Sequence, residues 1–383
     1  MLGNLLARLR DRRPAGGALD SLAGELPRSG RWVAFIADFD QLRRVETGQR
    51  LYSPLGSTRL RVLIPAEGLA RLLPVWVIPL GRVVGGLRPD GLGAPSAIVL
   101  GKLAARQVAA MTRELDRLLV WLAARARVTP IFADLSDDYE AHAPAFREPF
   151  LAEYQQRLAE HCTLVVPCDA LRAALAPRAR RGIAVIEDPY ESIAAQPVRA
   201  ARSTPRRLCW FGNLGELNAG HLEQALRAVA LGTDGQGLHV QLVTAEASRP
   251  LVERVAQAVT DANPRCTVTF MPWSLAATRA AIDASDFVLL PQDHASAWGR
   301  VKSHNRLVEA IRGGRLAIAS PIPAYQELAQ YAWVGEPLAV GLRWAEEHPD
   351  EAVQRVTAGQ GYLETRFSPS VVAQKWARTL GVA

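Results

Sequence analysis

Arg300-Val-Lys-Ser-His-Asn-Arg-Leu-Val-Glu-Ala-Ile-Arg-Gly-Gly-Arg-Leu-Ala-Ile-Ala-Ser320 reads as loop, helix, glycine stop and buried strand. Ser303 is placed to cap a helix over 303–313 whose apolar stripe is Leu307, Val308 and Ile311. Gly313-Gly314 ends it where a positive φ is needed, and Leu316 to Ala319 is the short apolar run a parallel sheet buries on both faces. The polar content points beyond scaffold. Lys302, Ser303, His304 and Asn305 cluster at the helix N-terminus, where free backbone N–H groups and the helix dipole favour an anion such as a phosphate. Glu309 lies one turn beyond Asn305 on the same face and can accept two hydroxyl hydrogen bonds, as a ribose offers. Taken alone, the cluster reads more readily as a plain cap followed by a solvated glutamate.

The surroundings favour the ligand reading. Asp286-Phe-Val-Leu-Leu-Pro-Gln-Asp293 is a buried strand with polar residues at its end, which puts the cluster at a strand's carboxyl end, where open α/β sheets bind ligands. Working outward, strands are expected at Arg207–Gly212, His239–Val243, Cys266–Phe270 and Tyr331–Gly335, with helices at 250–262, 274–284, 340–360 and 369–380. That alternation argues a doubly wound parallel sheet. Gly212-Asn-Leu-Gly-Glu-Leu-Asn-Ala-Gly220 is a glycine-rich loop after the first of these strands, a candidate for close backbone approach to a ligand.

A chain of 383 residues is long enough for two domains with full cores. Proline, arginine and small residues without periodicity make 195–206 an expected interdomain linker. It separates an N-terminal domain over 31–194 from a C-terminal domain over 207–383, after a leader over 1–30, and the last helix is expected to cross back to the first domain. The formal charge of +7 suits a polyanionic partner, but no aromatic-interleaved basic run points to nucleic acid. Cys162, Cys168, Cys209 and Cys266 lack C-x-x-C spacing, so no metal is expected and buried free thiols in a reducing compartment are. Arg82 interrupts the most hydrophobic stretch, Leu72 to Leu87, so no membrane span is expected. Met1 to Arg13 reads as a docking or frayed terminus, with peripheral contact to anionic lipid at the inner membrane face as the alternative.

In the first half, Trp32–Ala37 is the first strand, with Asp38 and Asp40 at its end. A turn-rich loop over 52–61 leads into Val62-Leu-Ile64 and carries Ser57, Thr58 and Arg59, which either bind an acceptor or an anion or belong to an ordinary surface loop. Short strands at Val75–Pro79 and Ala97–Leu100 and an amphipathic helix over 103–126 follow. Pro130–Asp134 is a strand running into Asp134-Leu-Ser-Asp-Asp138, then Tyr139 and His142. These acids include a candidate base or cap the next helix.

The second half resembles the donor domain of GT-B glycosyltransferases, specifically bacterial proteins similar to glycosyltransferase family 4. The resemblance rests on Trp210-Phe-Gly-Asn213, Phe270-Met-Pro-Trp273, Asp286-Phe-Val-Leu-Leu-Pro291, Lys302-Ser-x-Asn-Arg306, Glu309-Ala310, Gly314 and Tyr325-x-Glu327, and covers 205–380. The first half is similar only in general character. The resemblance implies an α/β GT-B fold, two Rossmann-like domains facing a central cleft. It also implies a cytoplasmic, hexosyl-type transferase that takes a sugar from a nucleotide-sugar donor to a glycan, lipid-linked or protein acceptor. No cofactor or metal is required, polysaccharide or glycoconjugate synthesis is the setting, and retention of anomeric configuration is favoured. The donor set it implies is Gly212, Asn213, Trp273, Arg300, Lys302, Ser303, His304, Asn305 and Glu309. Ser57, Thr58, Arg59 and Asp134 would meet the acceptor, and Asp137, His142 and Lys302 would serve catalysis. Glu309 matches the second glutamate of the family's E-x7-E motif, which binds the donor ribose, whereas the first falls on Val301. The basic pair expected after the first donor-domain strand is replaced by Asn213, Glu216 and Asn218. Those departures leave two alternatives open: a GT-B-fold epimerase or hydrolase of nucleotide sugars, and a non-catalytic binding member of the fold.

Overall fold

The computed structural model describes residues 30–37, 43–44, 51–53, 55–80, 83, 95–101, 117, 120–142, 150–191, 194–201, 204–233 and 237–383. The expected leader through residue 29, Asp38, Asp40 and most of the 103–126 helix lie outside them. The chain divides into two compact units, Met1–Pro189 with Pro369–Ala383, and Tyr190–Ser368. Each is built on its own six-stranded parallel sheet with helices, so the fold is α/β with two Rossmann-like domains.

In the first unit the strands are β1 (Val33–Ala37), β2 (Val75–Pro79), β3 (Ala97–Leu100), β4 (Ile131–Asp134), β5 (Thr163–Val166) and β6 (Ile183–Val185). Their order is β2-β1-β3-β4-β5-β6, all parallel. Val33, Phe35, Val75, Val77, Ala97 and Val99 are buried in one core cluster. Val372, Trp376 and Leu380 join that cluster from the chain's last segment, and Trp376 meets Phe35 edge-on at 5.8 Å. The loop expected over 52–61 is helical from Gly56, and Val62–Ile64 continues it. Gly56–Thr58 and Ile64–Leu69 are α-helical, with a π-helical turn over Arg59–Leu63 between them. Burial of Val62, Leu63, Ala66 and Leu69 on one side outweighs the turn signals of Pro54 and Gly56.

In the second unit the strands are β7 (Arg206–Phe211), β8 (Leu238–Thr244), β9 (Thr267–Pro272), β10 (Phe287–Leu290), β11 (Leu316–Ala319) and β12 (Trp333–Val334). They run β9-β8-β7-β10-β11-β12, all parallel, so strand order reverses between β7 and β10. A reversal of this kind is where open α/β sheets form a ligand crevice, outside the carboxyl ends of the two strands. The key helix spans Asn305–Arg312 with Leu307, Val308, Ala310 and Ile311 buried. Its N-cap is His304, with no side-chain cap hydrogen bond, rather than the expected Ser303. Gly314 sits at φ +72°, and a Cβ there would come 2.4 Å from the Pro197 carbonyl oxygen. Residues around 196 run along this unit: Gln196 N–H donates to the Arg312 carbonyl at 2.8 Å, and Gln360 donates to the Gln196 carbonyl at 2.8 Å. The helix expected over 340–360 is two, Leu338–Glu347 and Pro349–Arg366, because Pro349 starts a new helix rather than continuing one.

Candidate functional site

Because the strands are parallel, the segments after β7, β8, β9 and β10 all leave by the same edge of the second sheet. Gly212 follows β7 at φ +152°, and a Cβ there would stand 3.3 Å from an Arg306 guanidinium nitrogen. The loop beyond it is tied down. Leu214 N–H donates to Thr244 Oγ1 at 3.1 Å, and Ser248 Oγ donates to the Leu214 carbonyl at 2.6 Å. Asn213 is exposed, and its carbonyl accepts from Asn218 Nδ2 at 2.8 Å. Trp273, after β9, donates its N–H to the Thr244 carbonyl at 2.8 Å and is half-buried.

The segment after β10 folds back on itself before reaching the helix. Asp293 Oδ1 accepts from the N–H groups of Ala295 and Ser296 at 3.2 and 3.1 Å, and Ser296 Oγ accepts from Gly299 N–H at 3.0 Å. Burial works against the Asp293 charge, but these hydrogen bonds prevail and hold its carboxyl below the usual range. Arg300 is exposed at the end of this turn. Lys302 extends over Trp298 with Nζ 3.1 Å from the ring centroid, a cation–π contact that aims the ammonium. Ser303, Asn305 and Arg306 are half-buried at the helix start.

His304 is buried, 1% exposed, and its Nε2 lies 3.1 Å from Glu327 Oε2. The same carboxylate oxygen accepts from Arg366 Nη2 at 2.6 Å. Burial opposes the Glu327 charge, yet the hydrogen bonds from His304 and Arg366 bring its carboxyl down to about 2. The His304 ring meets Phe367 edge-on at 5.2 Å, and its Nδ1 is buried without a hydrogen-bond partner. Glu309, on the next turn, is half-buried rather than freely solvated. Its Oε1 accepts from the Glu191 N–H at 2.6 Å, and Arg279 Nη2 donates to the Glu191 carbonyl at 2.7 Å. Desolvation pushes the Glu309 carboxyl up to about 7, against the lowering effects of the Glu191 N–H, Arg279 and Arg312.

The second unit thus brings Gly212, Arg306, Lys302, His304, Asn305 and Glu309 to one sheet edge. The candidates of the first unit stand differently. Arg61 Nε and Nη2 donate to Asp134 Oδ1 at 2.9 and 2.6 Å, and Arg61 Nη1 approaches Asp188 Oδ1 at 3.3 Å and hydrogen-bonds the Ile186 carbonyl. Asp134 is 1% exposed, an internal counter-ion rather than an open acceptor contact. Thr58 and Arg59 are buried, with Arg59 Nη1 donating to the Ser53 carbonyl at 2.9 Å, and Ser57 is half-buried in the helical turn. Asp138 Oδ1 caps the short Tyr139–His142 helix through Ala141 N–H at 3.2 Å and pairs with Arg178 at 2.8 Å. Asp137 is buried beside Gln155, which donates to its carbonyl at 3.3 Å. His142 closes that helix, and its side chain lies outside the described residues. Among the described residues no three His, Cys, Asp or Glu side chains gather as a metal site would, and no helix is long and apolar enough to cross a membrane.

Sequence reasoning left Glu327 out of the site although Tyr325-x-Glu327 carried part of the resemblance. It also missed Arg366 and Glu191. Neither has a local signal, because each reaches the site from far along the chain.

No model of a protein family matches the sequence, and no curated protein does. Solved structures do match. Anabaena HepE in complex with UDP and glucose is similar over 92% of this chain and all of its own length, at 16% identity and a TM-score of 0.60. Sucrose-phosphate synthase of Thermosynechococcus elongatus matches over 91% of this chain and 98% of its own, at 12% identity and a TM-score of 0.59. A point mutant of S. aureus TarM in complex with fondaparinux, α-GlcNAc-glycerol and UDP matches 79% of this chain at 10% identity and a TM-score of 0.53. The match spans only 58% of TarM's length. These structures share the GT-B fold with this chain.

Proposed function

We propose that the chain is a glycosyltransferase that moves a sugar from a nucleotide-sugar donor to a glycan, lipid-linked or protein acceptor. The observation that carries this reading is the polar set at the start of the Asn305–Arg312 helix, standing where strand order reverses. The free N–H groups of that helix start suit the donor's diphosphate, with Lys302 and Arg300 adding positive charge. Glu309 Oε2 suits a ribose hydroxyl while Oε1 keeps the Glu191 N–H. Gly212 lets the β7 loop come close to the nucleotide without a side chain in the way. The fold shared with HepE and TarM, both crystallised with UDP, supports a nucleoside diphosphate as the leaving group.

Transfer breaks the bond between the sugar's anomeric carbon and the diphosphate oxygen, so negative charge builds on the diphosphate. Lys302 and the helix N–H groups are fixed before the reaction, and such preorganised donors stabilise that charge without reorganising. Removing one donor of this kind typically lowers the rate by about a hundredfold or more. Hexosyl transfer with retention, in cytoplasmic polysaccharide or glycoconjugate synthesis, is the finer form of this reading and rests on the family resemblance. Asp134 takes no part in acceptor contact, because its carboxylate is paired with Arg61 inside the first unit.

The test is product analysis by mass of UDP-, GDP- and ADP-sugars incubated with the protein in the presence of a chelator. Release of a nucleoside diphosphate, matched by a new glycoside when acceptor is added, is the expected result. Lys302→Ala should weaken binding of the nucleoside diphosphate and leave the bare nucleoside's affinity unchanged. Conversion of one donor sugar into another without nucleotide release would replace the transferase by an epimerase. Absence of nucleotide binding at millimolar concentration would end the donor-site reading.

A further inference from the structure

The unpaired nitrogen of His304 carries an inference that rests on the donor reading and goes one step further, to what reads the sugar. A buried polar atom without a partner is rare in folded proteins and calls for an explanation, often a missing ligand. His304 Nδ1 is such an atom, on a side chain 1% exposed, at the N-cap of the Asn305–Arg312 helix.

Which partner it needs follows from the other side of the ring. Glu327 is held ionised, at about 2, and an ionised carboxylate only accepts hydrogen bonds. The 3.1 Å contact from Nε2 to Glu327 Oε2 therefore requires the hydrogen on Nε2. Arg366 Nη2, at 2.6 Å from that oxygen, and Tyr362, whose hydroxyl accepts from Arg366 Nη1 at 3.2 Å, keep the carboxylate in place. Phe367 fixes the ring from the side at 5.2 Å. In the neutral ring this leaves Nδ1 as a lone pair, an acceptor that wants an O–H or N–H. A fully ionised phosphate offers neither. The sugar, joined directly to the phosphate, offers several hydroxyls within a few bonds of it.

We propose that His304 Nδ1 accepts a hydrogen bond from a hydroxyl of the donor sugar, with Glu327 as the positioning residue that fixes the histidine tautomer. His304 is then a specificity determinant for the transferred sugar, and the helix N–H groups serve the diphosphate separately. The arrangement matches the way ligand-binding histidines are set by the hydrogen bond their other nitrogen makes.

The experiment is calorimetric titration of the full chain with three pairs, UDP and UDP-glucose, GDP and GDP-mannose, ADP and ADP-glucose. The pair the wild type binds is carried into His304→Leu, His304→Asn and Glu327→Gln. A neutral hydrogen bond is worth roughly 0.5–1.5 kcal/mol, so His304→Leu should weaken the nucleotide sugar about threefold to tenfold against its bare nucleotide. The affinity for the bare nucleotide should stay within about twofold. His304→Asn retains an oxygen near the Nδ1 position and should recover part of the loss. Glu327→Gln can donate to Nε2 and move the hydrogen to Nδ1, so it too should lower the sugar-over-nucleotide ratio. Equal weakening of both ligands in His304→Leu would assign the ring to the phosphate and overturn the proposal, as would an unchanged ratio in all three variants. Should His304→Leu fail to fold, the ratios of the other two variants decide the matter. A wild type that binds no nucleotide refutes the donor reading itself. A wild type that binds nucleotide with ratios unmoved refutes only the role of His304.

Discussion

Replacing Glu309 by glutamine separates two roles that one carboxylate plays, and both can be read from one variant. The Glu309 carboxyl stands at about 7 in the folded chain against an ordinary value of 4.5. Below pH 4.5 the group is protonated in both folded and unfolded chains and contributes no pH dependence. Between 4.5 and about 7 the unfolded chain ionises while the folded chain keeps its proton, so the unfolded state binds fewer protons and stability falls as pH rises. Above about 7 the loss is complete. At about 1.4 kcal/mol per pH unit, the ceiling on that loss is roughly 3 kcal/mol. The side chain is only half-buried, so solvent screening brings the measured value below the ceiling. Glu309→Gln keeps an oxygen for the Glu191 N–H and has nothing to titrate. Urea unfolding of both proteins from pH 5 to 8 should show the variant gaining about 1–3 kcal/mol on the wild type across that range. Two parallel stability curves would refute the argument, since a constant offset carries no proton. The second role is read at pH 8, by titration with a nucleoside diphosphate. A charge-assisted hydrogen bond to ribose is worth roughly 1.5–3 kcal/mol, so affinity should fall about tenfold to a hundredfold. If the pH behaviour changes and the affinity does not, Glu309 anchors residue 191 and binds no ribose.

Arg61→Ala should destabilise the first unit by about 3–5 kcal/mol, measured by urea unfolding, because it leaves the buried Asp134 carboxylate without the guanidinium that pairs it. An effect under about 1 kcal/mol would mean that water replaces the arginine there. Gly314→Ala places a Cβ 2.4 Å from the Pro197 carbonyl oxygen at φ +72°, and should lower stability by more than the about 1 kcal/mol expected for a simple loss of backbone freedom. A Tm unchanged from the wild type would show that the 196–197 segment does not pack on the second unit.

The second unit was legible in the sequence to within a residue or two at most strand and helix ends, and the reason is periodicity. Leu316–Ala319 is a short all-apolar run that only a doubly covered strand buries, and the structure has it buried throughout. The Leu307, Val308 and Ile311 stripe likewise forced a helix where one is found. The first unit misled where polar residues turn inward. Arg59 belongs to the turn-rich 52–61 loop expected either to bind an acceptor or anion or to lie on the surface, yet it and Arg61 are buried: Arg59 donates to the Ser53 carbonyl, and Asp134 and Asp188, distant in sequence, receive Arg61. No local pattern announces a partner on another strand. Ser303 as the cap failed for a similar reason. The helix begins two residues later, after a histidine whose ring is held by Glu327, and the tertiary contact decides where the helix starts.

Two candidate acids of the first unit are each met by an arginine inside the fold. Asp134 sits at a strand's carboxyl end, as a ligand-binding acid would, but the fold spends its Oδ1 on two hydrogen bonds from Arg61. Asp138 caps a helix and pairs with Arg178. Both are therefore structural, Asp134 as a counter-ion and Asp138 as a cap. At the edge of the second sheet two groups are held differently. His304 is buried with one nitrogen engaged and the other empty, and Glu309 is kept half-buried with its carboxyl raised by desolvation. A fold gains nothing in stability from an empty buried nitrogen or from a carboxylate pushed up to about 7. Groups left in such a state make physical sense when a ligand supplies the missing partner. On that ground the donor is proposed for the second unit, where Glu309 keeps an oxygen beyond the one that takes the Glu191 N–H.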